Sequence, residues 1–247
     1  MIHFLHGFTG SPSSWDAIRA PLPVATRAHA LLGHHPTQLT DRTFSDEIAR
    51  LSDEIENENE NENENGNGNG NVLVGYSMGA RLALALLARH PSRFRSAILI
   101  GLHPGLPETE RAARAATDEK WASLAERDLA SFVARWESQP LFSTQVRLDE
   151  RTRDHQRAAR LAHSPSGLAL ALRRLGLARM PAIDLASIAT PVHLVAGSGD
   201  VKFVALAEHA ASQLPRARVT VVEGAGHNVA LERPERISRL IASEVPK

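Results

Sequence analysis

The chain has 247 residues, enough to bury the core of one α/β domain that carries an insertion. Lysine plus arginine and aspartate plus glutamate stand at 28 each, so no bulk charge draws it to nucleic acid or an anionic membrane, and any anion binding has to be local. Cysteine is absent, which excludes disulfides, thiolate catalysis and zinc–thiolate sites together.

In chain order, the apolar run Ile2–Leu5 reads as a first strand. It starts almost at Met1, so the antiparallel hairpin that often opens such sheets is expected to be absent or very short. The leading MIHFLHGF has no basic segment, long apolar run or cleavage site of a secretory leader. No stretch reaches the roughly 20 apolar residues that a membrane span needs, and a soluble, cytoplasmic protein is expected. A short helix over Ser14–Ala20, a strand over Ala25–Leu31 and an amphipathic helix over Phe44–Ile55 follow. Glu56–Asn71, ENENENENENGNGNGN, offers no apolar face to bury and adds glycine entropy. It is expected to be a flexible surface connection, and its spacing lacks the ligand pattern of a calcium loop.

Strand Val72–Gly75, helix Gly79–Arg89 and strand Ser96–Ile100 come next. From there to strand Val192–Ala196 the pattern is helical, over Glu108–Ala116, Asp118–Trp136, Asp149–Ala162 and Ser166–Leu175. Helix Val201–Gln213, strand Arg218–Val222 and helix Pro234–Ser243 close the chain. Strands apolar on both faces, alternating with helices, predict an α/β fold with a mostly parallel sheet. The expected core is 1–104 plus 182–247, with 105–181 as a helical cap.

The densest motif is Gly75-Tyr76-Ser77-Met78-Gly79, which fits the G-x-S-x-G nucleophile elbow between an apolar strand and an alanine- and leucine-rich helix. The turn is too tight for side chains beside the serine, hence the two glycines, and it lifts the hydroxyl above a helix N-terminus that favours developing negative charge. Ser77 is the candidate nucleophile. Such a serine needs a base and the base an orienting carboxylate, in the chain order serine, acid, histidine. Of 12 histidines, His227 in EGAGHNVALERPE alone sits in a glycine-containing loop after the last strand and before the last helix. Asp200 in VAGSGDVKF follows the preceding strand and opens a helix, where the acid belongs. His6-Gly7-Phe8-Thr9 after the first strand is placed to give one oxyanion amide from Phe8, and Met78 the second. His6 itself reads as more structural than catalytic. Pairs such as His34-His35 lack the companions of a metal site, so no metal is expected.

The set LHGFTG, GYSMGARLAL, HPGL, RWESQPLF, GDVKFVALA and GAGHN resembles the α/β-hydrolase-fold enzymes of menaquinone biosynthesis, the 2-succinyl-6-hydroxy-2,4-cyclohexadiene-1-carboxylate synthases. The resemblance covers nearly the whole chain except the missing hairpin and the EN/GN repeat. It implies elimination of pyruvate from the 5-enolpyruvoyl precursor (SEPHCHC), begun by proton removal at the triad serine, with no cofactor and a small polycarboxylate as substrate. It also implies substrate-binding roles for Arg81, Arg114, Arg160 and Trp136, with Arg111 and Arg157, one helical turn away, as alternatives in the cap; His6 is a further substrate-binding candidate. A monomer or weak homo-oligomer is expected. LLGHHP departs from the acidic residue and P-G-H-G turn usual after the second strand. Two other readings share the triad: a hydrolase of esters or carbon–carbon bonds in small acidic substrates, and a noncatalytic ligand-binding receptor.

Overall fold

Strands β1 (Ile2–Leu5), β2 (Thr26–His29), β3 (Asn71–Tyr76), β4 (Phe94–Ile100), β5 (Val192–Gly197) and β6 (Ala217–Val222) form one parallel sheet in the order β2-β1-β3-β4-β5-β6. The structure is a computed structural model that describes residues 1–34, 40–63 and 70–244, with backbone alone for 58–63. The pleat sorts the apolar residues into two layers. Leu5, Leu73, Ala97 and Leu99 face a core built with α2 (Phe44–Asn63), α3 (Met78–Arg89) and α8 (Val201–Gln213). Phe4, Val74, Ile98 and Ile100 face Trp15 together with Ile18 of α1 (Asp16–Arg19) and Ile237 and Ile241 of α10 (Pro234–Glu244). Burial on both sides is why these strands read as continuous apolar runs.

At both ends of the EN/GN repeat the boundaries differ from the sequence expectation. Helix α2 runs past Ile55 to Asn63, so the first half of the EN repeat is helical. Once a helix is nucleated, each further residue needs only propagation, and glutamate propagates well. The end of the α2 core is also held by Arg93, which donates to Glu56 at 2.7 Å. At the other end of the repeat Asn71 is buried and begins β3, paired with Phe94. The stretch 64–69, also expected to be a flexible connection, lies outside the described residues.

The insertion between β4 and β5 carries α4 (Glu108–Arg127), α5 (Leu129–Glu137), α6 (Glu150–Leu161) and α7 (Pro165–Leu175). The expected break near Thr117 is absent; α4 continues through it. The break falls instead at Asp128, whose carboxylate accepts the Ser131 amide at 2.9 Å and starts α5. Phe132, Val133, Leu168 and Leu172 form the heart of this cap, and Phe8 rises from the sheet domain to pack into it. Among the described residues no helix is long and apolar enough to cross a membrane.

Candidate active site

The elbow is built from the close approach of two backbones. A Cβ on Gly75 would stand 2.6 Å from the Gly79 carbonyl oxygen, and one on Gly79 would stand 2.1 Å from that of Leu5. Only glycine fits at either position. Ser77, between them, is held at φ 51, ψ −105, a conformation that a non-glycine residue adopts only when its surroundings force it. Its amide donates to the Ile100 carbonyl at 2.8 Å, pinning the turn to β4.

The three groups predicted from chain order meet in space. His227 Nε2 lies 3.1 Å from Ser77 Oγ, and His227 Nδ1 lies 2.8 Å from Asp200 Oδ2. Because a carboxylate can only accept, Nδ1 carries the proton, and Nε2 is left to accept from the serine. Asp200 also caps α8 through a longer contact from the Phe203 amide at 3.4 Å, so one carboxylate serves both turn and ring. The ring is caged by Phe203 and Tyr76, with centroids at 4.3 and 5.5 Å, and by Gly101, where a Cβ would meet Cε1 at 2.9 Å. Phe8 and Met78 line the same cavity as Ser77. Met78 is the first residue of α3, where an amide has no partner within its own helix.

That cavity encloses about 320 Å³. Its charged lining is mostly cationic, with Arg81, Arg114 and Lys202 set against the carboxylate of Asp118 and with His103 beside them. Arg81 lies on the buried length of α3, and its Nη1 donates to the Leu175 carbonyl at 2.9 Å. Among the described residues it makes no salt bridge. Burial, and then repulsion from Arg114, lowers its pKa to about 10, with only Asp118 opposing. Asp118 instead pairs with Arg114, accepting from Nε at 2.8 Å, while its Oδ2 is buried without a hydrogen-bond partner. Burial raises the Asp118 pKa in spite of the arginines around it. The same cation field is felt at His103, lowered to about 4 by burial first and then by Lys202, Arg81 and Arg114.

Residues 4–240 match the Alpha/beta hydrolase family. The chain belongs to that family. It is 35% identical to a Bacillus subtilis (strain 168) protein named putative 2-succinyl-6-hydroxy-2,4-cyclohexadiene-1-carboxylate synthase, covering 96% of this chain and 87% of that one. It is 33% identical to the synthase of that name from Enterobacter sp. (strain 638), over 97% and 89% of the two chains. Among solved structures it superposes on MenH from S. aureus with a TM-score of 0.90 at 26% identity, covering 98% and 92%. Within the hydrolase-fold family the chain therefore belongs with these synthases.

Other residues singled out from the sequence occupy different places in this α/β-hydrolase chain. Trp136 lines the Ser77 cavity and packs on Phe8 with centroids 5.0 Å apart; its indole Nε1 is buried with no partner. Arg114 lines the cavity, whereas Arg111 is turned to the carbonyls of Ala178 and Met180. Arg160 is not in this lining. It lies behind Phe142, with its guanidinium 5.6 Å from that ring and Nη1 donating to Glu137 at 2.9 Å, facing a second cavity of about 630 Å³. Arg157 holds the same Glu137 from the exposed side. His6 also lies outside the Ser77 lining. Its Nδ1 donates to the Gly7 carbonyl at 2.8 Å and its Nε2 accepts the Leu31 amide at 3.3 Å, so the backbone uses both nitrogens and leaves nothing for a ligand.

Sequence reasoning passed over Asp118, His103, Lys202, Trp121 and Phe142, all of which line the cavity. Lys202 could have been found, since it stands two residues after the acid. Asp118 had no signal, because an acidic residue in a charged helix reads as a solvated face.

Proposed function

We propose that the chain is a 2-succinyl-6-hydroxy-2,4-cyclohexadiene-1-carboxylate synthase, which releases pyruvate from SEPHCHC. The observation that carries this reading is the buried Arg81, a guanidinium without an ion-pair partner among the described residues, in the same cavity as Ser77. A neutral, apolar ester gives no reason to bury such a charge. A polycarboxylate supplies the missing anion, and a guanidinium can hold it through two parallel hydrogen bonds. Arg114 and Lys202 extend the positive lining toward further carboxylates.

The geometry supports a proton-transfer sequence. Ser77 gives its proton to Nε2 of His227, and Asp200 stabilises the imidazolium across the 2.8 Å hydrogen bond. The serine oxygen then takes a proton from a ring carbon of the substrate. Electrons from that C–H bond shift onto the adjacent carbonyl oxygen as an enolate, whose collapse forms the new ring double bond as the C–O bond to the enolpyruvoyl group breaks. The departing enolpyruvate takes up a proton, supplied through His227, and becomes pyruvate. Charge building on the substrate carbonyl oxygen is met by the amides of Phe8 and Met78. Water is not consumed, and the enclosing cap wall of Trp136 and Phe142 suits a reaction that gains from its exclusion.

The test is pyruvate release from SEPHCHC, followed by a coupled lactate dehydrogenase assay. Ser77→Ala protein supplies the baseline for spontaneous loss. Release from the native chain at the Ser77→Ala rate would overturn the reading.

A further inference from the structure

Thr9, immediately after the proposed oxyanion residue Phe8, is held at φ 62, one of two non-glycine residues at positive φ among those described; the other is Ser77 itself. A β-branched residue in that region is strained, and something must hold it there. Two histidines from distant segments do so. The Thr9 amide donates to His34 Nε2 at 3.1 Å, and the Thr9 carbonyl accepts from His163 Nε2 at 3.1 Å.

The tautomer of His34 is fixed by its other nitrogen. Nδ1 lies 3.0 Å from the Leu32 carbonyl, an acceptor only, so Nδ1 carries the hydrogen and Nε2 is free to accept from Thr9. The two rings meet edge to face with centroids 5.2 Å apart, and His34 also packs on the Phe8 ring at 5.5 Å. The segments that carry them are fixed against each other. Gly33 and Gly167 touch backbone to backbone, and a Cβ on Gly33 would stand 2.1 Å from the Gly167 carbonyl oxygen. His34 belongs to the loop after β2, whereas His163 belongs to the cap, between α6 and α7.

We propose that His34 and His163 are positioning residues that grip Thr9 from both sides and so aim the Phe8 amide at the reacting oxygen, with His163 making the cap part of that hold. Neither ring lines the Ser77 cavity. Their effect passes through one peptide unit: the Phe8–Thr9 plane is fixed by the Thr9 amide, and the Phe8 amide is one residue upstream. Removing the His163 donor frees the Thr9 carbonyl and lets the strained φ relax.

This inference rests on the Phe8 amide of the proposed mechanism, and its test carries readouts that do not need SEPHCHC. His163→Leu keeps bulk and loses the donor, whereas His163→Gln keeps an N–H at similar reach. In the native protein, ¹⁵N–¹H spectra assign the Phe8 and Thr9 amides. Inactivation by diisopropyl fluorophosphate reads Ser77 and the oxyanion amides together, whatever the natural substrate is. His163→Leu is expected to shift both amide resonances, to slow inactivation and pyruvate release together by roughly 10- to 30-fold in the rate constant with KM within about twofold, and to keep a normal melting transition. His163→Gln should recover most of the rate. His34→Gln, which keeps an acceptor for the Thr9 amide, should likewise lose less than His34→Leu.

Unmoved amides, or a loss that appears in KM with the rate constant intact, would overturn the clamp. So would equal losses in the leucine and glutamine variants. If the native chain released no pyruvate, the synthase reading would fall alone, and the amide shifts and phosphorylation rates would still decide the clamp.

Discussion

Nη1 of Arg81 donates to the carbonyl of Leu175 at 2.9 Å, tying the residue one turn beyond the nucleophile to the last turn of a cap helix. The bond occupies part of one edge of the guanidinium and orients the group. Arg81→Ala is expected to lower kcat/KM for SEPHCHC by roughly 30- to 200-fold, the loss of one charge-assisted bidentate contact. Arg81→Lys should recover only part, because an ammonium has no planar fork. Hydrolysis of p-nitrophenyl acetate should change little across the three proteins. Equal losses on both substrates would make Arg81 a structural support of the elbow.

Ser77, His227 and Asp200 form one hydrogen-bonded chain, so their removal should not multiply. Ser77→Ala and His227→Ala are each expected to reduce single-turnover pyruvate release by several orders of magnitude, and the double variant should be little worse than either. Rates that fell by the product of the two single losses would show independent roles.

Gly79→Ala tests the elbow as a packing problem. Its methyl would stand 2.1 Å from the Leu5 carbonyl oxygen, on a backbone that cannot withdraw without moving β1. The expected cost is on the order of 1–3 kcal/mol, read as a lower denaturation midpoint. An unchanged midpoint would mean that the strand and helix separate more easily than their contacts indicate.

Acid should weaken the fold before carboxylates begin to titrate. Burial pushes the pKa of His6, His103 and His193 down to about 4 and that of His3 to about 3. Below about 6.5 the unfolded chain takes up protons that the folded chain refuses, so stability present at neutral pH is lost as pH falls toward 4. Each such histidine adds up to about 1.4 kcal/mol per pH unit to that slope. Urea midpoints at pH 7, 6 and 5 check it, and His193→Gln should flatten the dependence. A midpoint that held constant from pH 7 to 5 would contradict the neutral, buried state of these rings.

The meeting of Ser77, Asp200 and His227 was legible because each position is forced by local geometry: glycines where no Cβ fits, and polar loop residues after β5 and β6. The direction of the cap arginines was not legible. Arg111, Arg114, Arg157 and Arg160 sit on helices whose charged residues cover most of the surface, and periodicity does not say which arginine a carboxylate such as Glu137 or Asp118 will hold. Asp128 did carry a readable signal, an acid three residues before Ser131, which marks a helix start. The extension of α2 through repeating glutamate and asparagine had none, since its helicity derives from the nucleated turns before it. The grip on Thr9 was equally hidden, because His34 and His163 come together only when the cap settles on the loop after β2.

The insertion enters the chain after β4, while Ser77, Asp200 and His227 follow β3, β5 and β6. No strand that presents a triad residue is interrupted by the segment that shapes the opening above them. Under the proposed function, changes in α4 to α7 would retune which molecule enters while the hydrogen-bonded Ser77–His227–Asp200 chain beneath keeps its strands. The same separation guides engineering. A library confined to the insertion would sample new substrates, provided that Leu175, Phe142, His163 and Gly167, which are among the points where the insertion meets the sheet domain, are left as they are.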